Sequence, residues 1–314
     1  MIPMSQTPVR SSRARARPSG TRLRQARPAP RRPALLPLFL VTLVVTIGLG
    51  VVVAEVVDGA GHDPDTIPTA GGPAPVSLDM TGFDATHIID DAVFYDSTTM
   101  DSQDVSDFIA QVNDGCVTGT DGTVCLADAT FDTPDVDPTT ACPGGYVGAA
   151  DESAAAVISQ VATSCDVNPQ VLLTLLQKEQ GLLTASGASL SATDYRSATG
   201  YGCPDGTSCD ATYTGFFNQV YGAAAQFQRY RLDPGSYQVV AGTSAQLAYS
   251  PDPTCGSAAI TAVNQATAGL YDYTPYQPNS AAAQGGDRCT SWGNWSFYGY
   301  FRTWFGDPAP SVAD

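Results

Sequence analysis

Along the chain, the apolar positions first gather into one unbroken block. Residues 34–54 (ALLPLFLVTLVVTIGLGVVVA) carry no charge over 21 positions, about the 20 that a helix needs to cross a bilayer's hydrocarbon core. They predict a membrane-spanning signal anchor over 34–57. A cleaved signal peptide ending near Val52-Val53-Ala54 is the competing reading, but the block exceeds the roughly 7–15 residues of a signal peptide's apolar region. Ahead of it, the Arg- and Pro-rich residues 1–33 predict a disordered tail. Behind it, the Gly-, Pro-, Asp- and Thr-rich residues 58–86 have too little apolar content to build a core and predict a disordered linker.

From Ile88 onward the pattern is that of an ordered domain. Residues 87–95 (HIIDDAVFY) read as a short β-like stretch, and 99–112 as a helix with Val105, Phe108, Ile109 and Val112 on one face. Asp101, Asp104 and Asp107 fall on its outer and N-terminal positions, where the helix dipole favours them, and no Asp-x-Asp-x-Asp-Gly loop suggests calcium. Residues 116–146 form a Cys-, Gly-, Thr- and Asp-rich loop region. A helix over 152–163 is followed by a second that opens at Asn168-Pro169, a good N-cap with proline in the first turn, and ends near Gly181. Further helices are expected over 216–231 and 257–271, separated by tyrosine-rich turns. The pattern is that of a mainly α ectodomain with small β and loop elements. It divides into an N-terminal part over 87–146, a main domain over 147–306 and a disordered tail over 307–314.

Charge gives this layout a direction. Nine of the 15 basic residues lie in the first 32 positions, and no acid precedes Glu55. The arginines put the N-terminus in the cytoplasm and the ectodomain outside, in a single-pass arrangement in the cell membrane, or secreted if the segment is cleaved. Residues 55–314 hold six basic and 31 acidic side chains, a net charge of −25, which argues against nucleic acid as a partner. All eight cysteines (Cys116, Cys125, Cys142, Cys165, Cys203, Cys209, Cys255 and Cys289) lie beyond the membrane block and read as disulfides of an exported domain. Eight cysteines allow 105 pairings. Sequential pairing is expected, starting from Cys203 with Cys209 on either side of a Pro-Asp-Gly turn. With only His62 and His87 available, histidine metal sites and Ser-His or Cys-His catalysis have little material, so no metal and no cofactor are expected.

Only three acids are glutamates: Glu55, Glu152 and Glu179. On a helical wheel Glu179 joins the stripe of Leu172, Leu175, Leu176 and Leu183, with Lys178 and Gln180 pointing elsewhere. A carboxylate on a buried face is costly unless paired or protonated, and a desolvated carboxyl is what a general acid needs at neutral pH. A bland role, bending out to solvent or pairing with an arginine, competes. Twelve of the 14 tyrosines fall between Tyr195 and Tyr300. Tyrosine rings stack on sugars while their hydroxyls, with Asn and Gln amides, bond sugar hydroxyls and acetamides.

Four segments, Gln177-Lys178-Glu179-Gln180-Gly181-Leu182, Gly200-Tyr201-Gly202-Cys203-Pro204-Asp205, Gly215-Phe216-Phe217-Asn218-Gln219-Val220-Tyr221 and 270–279 (LYDYTPYQPN), together resemble the exported lysozyme-like proteins of high-GC Gram-positive bacteria, as does 293–301 (GNWSFYGYF). These proteins are often labelled hemagglutinin-like or endo-β-N-acetylglucosaminidase-like and are related broadly to lytic transglycosylases and goose-type lysozymes. The resemblance spans about 88–306. It implies a lysozyme-like fold with Glu179 as catalytic acid, and sugar subsites lined by Thr199, Gly200, Tyr201, Asp205, Phe217, Asn218, Gln219, Tyr271, Tyr273 and Tyr276. It departs from the common Glu-Ser and Gly-Leu-Met-Gln signatures, which are Glu179-Gln180 and Gly200-Tyr201-Gly202-Cys203 here.

A hydrolase wants a second carboxylate, for which Asp194, Asp205 and Asp210 are the candidates. A lone Glu179 suffices for transglycosylation through the sugar's own 6-hydroxyl. The sequence therefore reads as a membrane-anchored enzyme cleaving peptidoglycan or another aminosugar glycan. The alternative is a non-catalytic glycan-binding or adhesive surface protein of the same fold.

Overall fold

The computed structural model describes residues 72–204 and 208–310. The expected tail, membrane helix and first half of the linker lie outside these residues; among the described ones no helix is long and apolar enough to cross a membrane. The described part is mainly helical: α1 (Asp91–Phe94), α2 (Ser102–Val112), α3 (Ala154–Cys165), α4 (Pro169–Gln180), α5 (Ala192–Arg196), α6 (Phe216–Leu232), α7 (Gln265–Tyr273) and α8 (Gly293–Phe305). Two antiparallel strand pairs complete it, β1 (Thr130–Phe131) with β2 (Glu152–Ser153) and β3 (Ser244–Ala248) with β4 (Ser257–Thr261).

The fold is organised around α4. Asn168 caps its N-terminus by accepting from Gln170 N–H at 2.8 Å and donates its own amide to the Val93 carbonyl at 2.7 Å, tying α4 to the end of α1. Pro169 fills the first turn, where its missing N–H costs nothing. Every residue from Val171 to Gln177 is buried, and Leu172, Leu173, Leu175 and Leu176 are fully so. A helix that is apolar all round belongs inside a protein. α4 packs against α8 on one side and α3 on another, while α3 bridges to α2 and α6, and α6 to α7. The expected one-sided leucine stripe is therefore a fully surrounded helix. It ends at Gly181, left-handed at φ 66°, after which Leu182 and Leu183 turn back into the core.

Other expectations shift. Residues 87–95 hold no strand: after the fully buried Ile88 and Ile89 the chain turns directly into α1. Residues 257–271 split into β4 and α7, because the amide side chain of Asn264 accepts from Thr267 N–H and starts a new helix. Asp101 serves α2 as N-cap, in a reciprocal capping box with Asp104. The second half of the expected linker is packed. Phe83 lies against Trp295 and Tyr298 at ring-centroid distances of 4.7 and 5.2 Å, and the Tyr298 hydroxyl donates to the Thr81 carbonyl at 2.6 Å.

Four disulfides pair the cysteines sequentially: Cys116–Cys125, Cys142–Cys165, Cys203–Cys209 and Cys255–Cys289. The second ties the loop before β2 to the end of α3. Aspartates shape the turns. Asp79, Asp84, Asp96, Asp121, Asp210 and Asp252 each accept from the N–H of a threonine two residues on. Because α4 is surrounded by close-packed neighbours, Leu176→Ala is expected to cost about 3 kcal/mol, measured as a lowered denaturant midpoint at unchanged slope.

Candidate functional site

Glu179 stands where α4 leaves the core. Its side chain retains 22% of its exposure, against 5% for Lys178 beside it. Contrary to the wheel, Lys178 does not point away: its Nζ contacts Glu179 Oε1 and donates to Thr274 Oγ1 at 2.5 Å. At a helix end a long lysine stem is free to wrap back onto its neighbour, which a wheel does not represent. The ammonium also lies 5.9 Å from the centroid of the Tyr273 ring. Gly293, the first residue of α8, admits this cluster, since a Cβ there would sit 2.5 Å from Thr274 Cγ2 and 3.3 Å from Lys178 Cε.

The opposite wall is the 199–203 loop. Gly200, at φ +73°, holds a conformation that other residues resist, and a Cβ there would sit 3.3 Å from Glu179 Oε2. Gln219 of α6 fixes this loop. Its Oε1 accepts from Thr199 N–H at 3.2 Å and Tyr201 N–H at 3.1 Å, while its Nε2 donates to the Tyr201 and Tyr213 carbonyls at 2.8 and 2.6 Å. The Tyr273 hydroxyl donates to the Thr199 carbonyl at 2.8 Å, joining α7 to the same loop. Burial pushes the Tyr273 phenol well above its ordinary range, and the Glu179 charge adds to that shift.

Of the residues expected to line subsites, Gly200, Tyr201 and Tyr273 belong to this neighbourhood. Thr199 and Gln219 are fully buried and hold the loop from beneath, so their side chains are scaffold. Tyr271 is a core residue whose hydroxyl donates to the Ala85 carbonyl at 2.8 Å. Tyr276 pairs with Ala248 through its backbone. Phe217 is buried against Tyr146, and with exposed Asn218 it borders a separate depression of about 460 Å³, lined also by Phe131 and Pro134 but not by Glu179. Asp205 lies outside the described residues. Asp194 is consumed in the capping box of α5, accepting from Ser191 N–H at 2.6 Å. Asp210 caps Thr212, whose hydrogen bonds hold its carboxyl below the usual value. Among the described residues no three His, Cys, Asp or Glu side chains gather as metal ligands.

Two contributors escaped the sequence reading. Lys178 was visible only as Glu179's neighbour, and Thr274 only as part of the 270–279 segment. Trp292, directly before Gly293, is 43% exposed. Its ring is docked on Gly286, where a Cβ would meet Trp292 Cζ2 at 2.4 Å. Exposed tryptophan fixed in one orientation offers a flat apolar face at no further ordering cost.

Residues 86–313 match the family model of the LasA N-terminal domain. The chain belongs to that family. It is therefore placed among LasA N-terminal domains rather than in the lysozyme-like family its motifs resemble. No curated protein and no solved structure matches it. The match to the LasA N-terminal domain takes in α1 through α8, and with them every element that positions Glu179.

Behind Tyr273, Asp272 shows what an unshared carboxylate costs in this fold. Its Oδ1 accepts from Val239 N–H at 2.9 Å, but its Oδ2 is buried without a partner. Burial raises its carboxyl from 3.8 to about 6, against backbone hydrogen bonds from Val239 and Gln238. The folded chain thus keeps this proton between about pH 4 and 6 where the unfolded chain loses it, so stability falls as pH rises through that window. Asp272→Asn should raise stability at pH 7 by about 1 kcal/mol, a figure discounted for partial exposure, with no gain below pH 4. Thermal melts of both proteins across pH 3–8 test this.

Proposed function

We propose that the ectodomain binds and cleaves the aminosugar backbone of peptidoglycan outside the cell, with Glu179 as the acid and base and residues 34–57 as the membrane anchor. Membership of the LasA N-terminal family supports a cell-wall-acting extracellular protein. The acid/base assignment rests on one observation: a single glutamate emerges from a buried helix with one oxygen on Lys178 and the other against a bare glycine.

In this reading the glycosidic oxygen approaches Glu179 Oε2 over Gly200, where no side chain intervenes. Glu179 passes a proton to that oxygen as the C1–O4 bond breaks, and Lys178 lies against the carboxylate that remains. Asp194 and Asp210 are committed to caps, so neither supplies the partner that hydrolysis wants. The sugar's 6-hydroxyl then closes on C1 and returns its proton to Glu179, giving a 1,6-anhydro product and a regenerated acid. Trp292 offers a ring face for a flanking sugar.

A second reading, a glycan-binding module without catalysis, draws on the Lys178 contact, which is also what a purely structural ion pair looks like. The two part on one experiment. Full-length protein should clear cell walls in a zymogram and release anhydro-muropeptides by mass analysis, and Glu179→Gln should abolish both while keeping chitotriose binding. Clearing by the mutant at the wild-type rate sinks the catalytic assignment; binding without any clearing by the wild type selects the module. Trp292→Ala is expected to weaken chitotriose binding about fivefold, or about 1 kcal/mol, measured by calorimetry.

A further inference from the structure

Six cations lie beyond the apolar block, in a region of net charge −25. Among the described residues four of them meet carboxylates: Lys178 with Glu179, Arg231 with Asp166, Arg288 with Asp252, and Arg302 with Asp79 and Asp307. Arg229 does not. Its Nη1 donates to Gln226 Oε1 at 2.9 Å and to the Tyr201 hydroxyl at 3.3 Å, both neutral. A guanidinium with neutral partners keeps its capacity for the stronger, charge-assisted bond to an anion.

Arg229 lines a cavity of about 400 Å³ between α6 and residues 139–141. Ala141, Ala225 and Leu232 make its apolar lining, with Tyr221 and Tyr237 beside them. The Tyr221 hydroxyl is buried and has no hydrogen-bond partner, an exception among buried polar groups that calls for an explanation. The other charge on the cavity is the Asp233 carboxylate at its edge, which accepts from the Ser236 hydroxyl at 2.7 Å, keeps its negative charge and forms no ion pair with Arg229. The cavity thus combines an exposed cation lacking a carboxylate, an unused phenol and room for a few alkyl groups.

We infer that this cavity binds the free carboxylate of a short peptide carried on the glycan strand. The inference rests on the peptidoglycan reading above. A sugar hydroxyl has no need of a cation, whereas a carboxylate does; the Tyr221 hydroxyl serves its second oxygen or a peptide group, and small side chains meet the alanines and Leu232. Tyr201 joins this cavity to the neighbourhood of Glu179, since its hydroxyl holds Arg229 and its backbone belongs to the 199–203 loop beside that carboxylate. Peptide occupancy would then report to the site where the adjoining sugar bond is cut.

Calorimetric titration of the full chain tests this with four probes: N-acetylmuramyl-L-alanyl-D-isoglutamine, the same compound amidated at its free carboxylate, inorganic phosphate, and chitotriose. The free acid should bind and the amide should bind about tenfold more weakly or worse, with Arg229→Gln losing the same factor. Tyr221→Phe should weaken the acid several-fold at an undiminished melting temperature, because its hydroxyl has no partner to lose. Equal affinity for acid and amide, full affinity in Arg229→Gln, no binding of the acid, or tighter binding of phosphate would each overturn the inference. Loss of chitotriose binding or wall clearing with acid binding intact counts against the Glu179 reading instead, so the two failures are distinguishable.

Discussion

The constraint on which the rest depends is the burial of α4 on every side. A helix carrying Leu172, Leu173, Leu175 and Leu176 in one run cannot be satisfied by a single apolar face. Each fully buried leucine stabilises the fold by about 1.5–3 kcal/mol relative to exposure, so neighbours gather around the whole circumference. That arrangement fixes the α4 axis, and with it the point at which the chain emerges. Glu179 is positioned by the end of a rigid element rather than by a loop, which is what a precise chemical group requires.

Around that fixed point the site is completed by polar bonds rather than packing. Gln219 spends both ends of its amide on the backbone of residues 199, 201 and 213. Tyr273 adds a bond from the other side. Because these bonds are buried, each missing partner would carry a desolvation penalty of about 1–3 kcal/mol, which makes the loop conformation stringent. Gly200 can therefore be held at a positive φ beside the carboxylate, where a side chain would block the approach to Oε2.

The features legible in the sequence were those set by local chemistry. Asn168-Pro169 and Gly181 bounded α4, and spacing and a turn identified the Cys203–Cys209 pair. What stayed hidden depends on distant neighbours. The split of 257–271 into β4 and α7 turns on strand pairing with 244–248 and on the Asn264 cap. Residues 78–86 read as linker by composition because their few apolar groups, Leu78, Met80 and Phe83, are only partly covered, and by α8, which lies about 200 residues further on. Gln219 looked like a sugar ligand because an amide's chemistry is the same toward a backbone as toward a glycan; only burial separates the two roles.

The skew toward aspartate follows from the same distinction between local and distant partners. A carboxylate one methylene from the backbone reaches the N–H two residues on, and a glutamate overshoots it. Six Asp-x-Thr turns use that reach. Threonine hydrogen bonds lower the carboxyls of Asp79, Asp96, Asp210 and Asp252, and bring Asp121 to about 2. Their stabilisation is complete above about pH 4 and lost as pH falls through those lowered values, the reverse of Asp272. Six of the chain's 31 acidic side chains thus serve turn construction on exposed loops. Against that background an unshared cation such as Arg229 is conspicuous, because aspartates are plentiful and none of them closes on it.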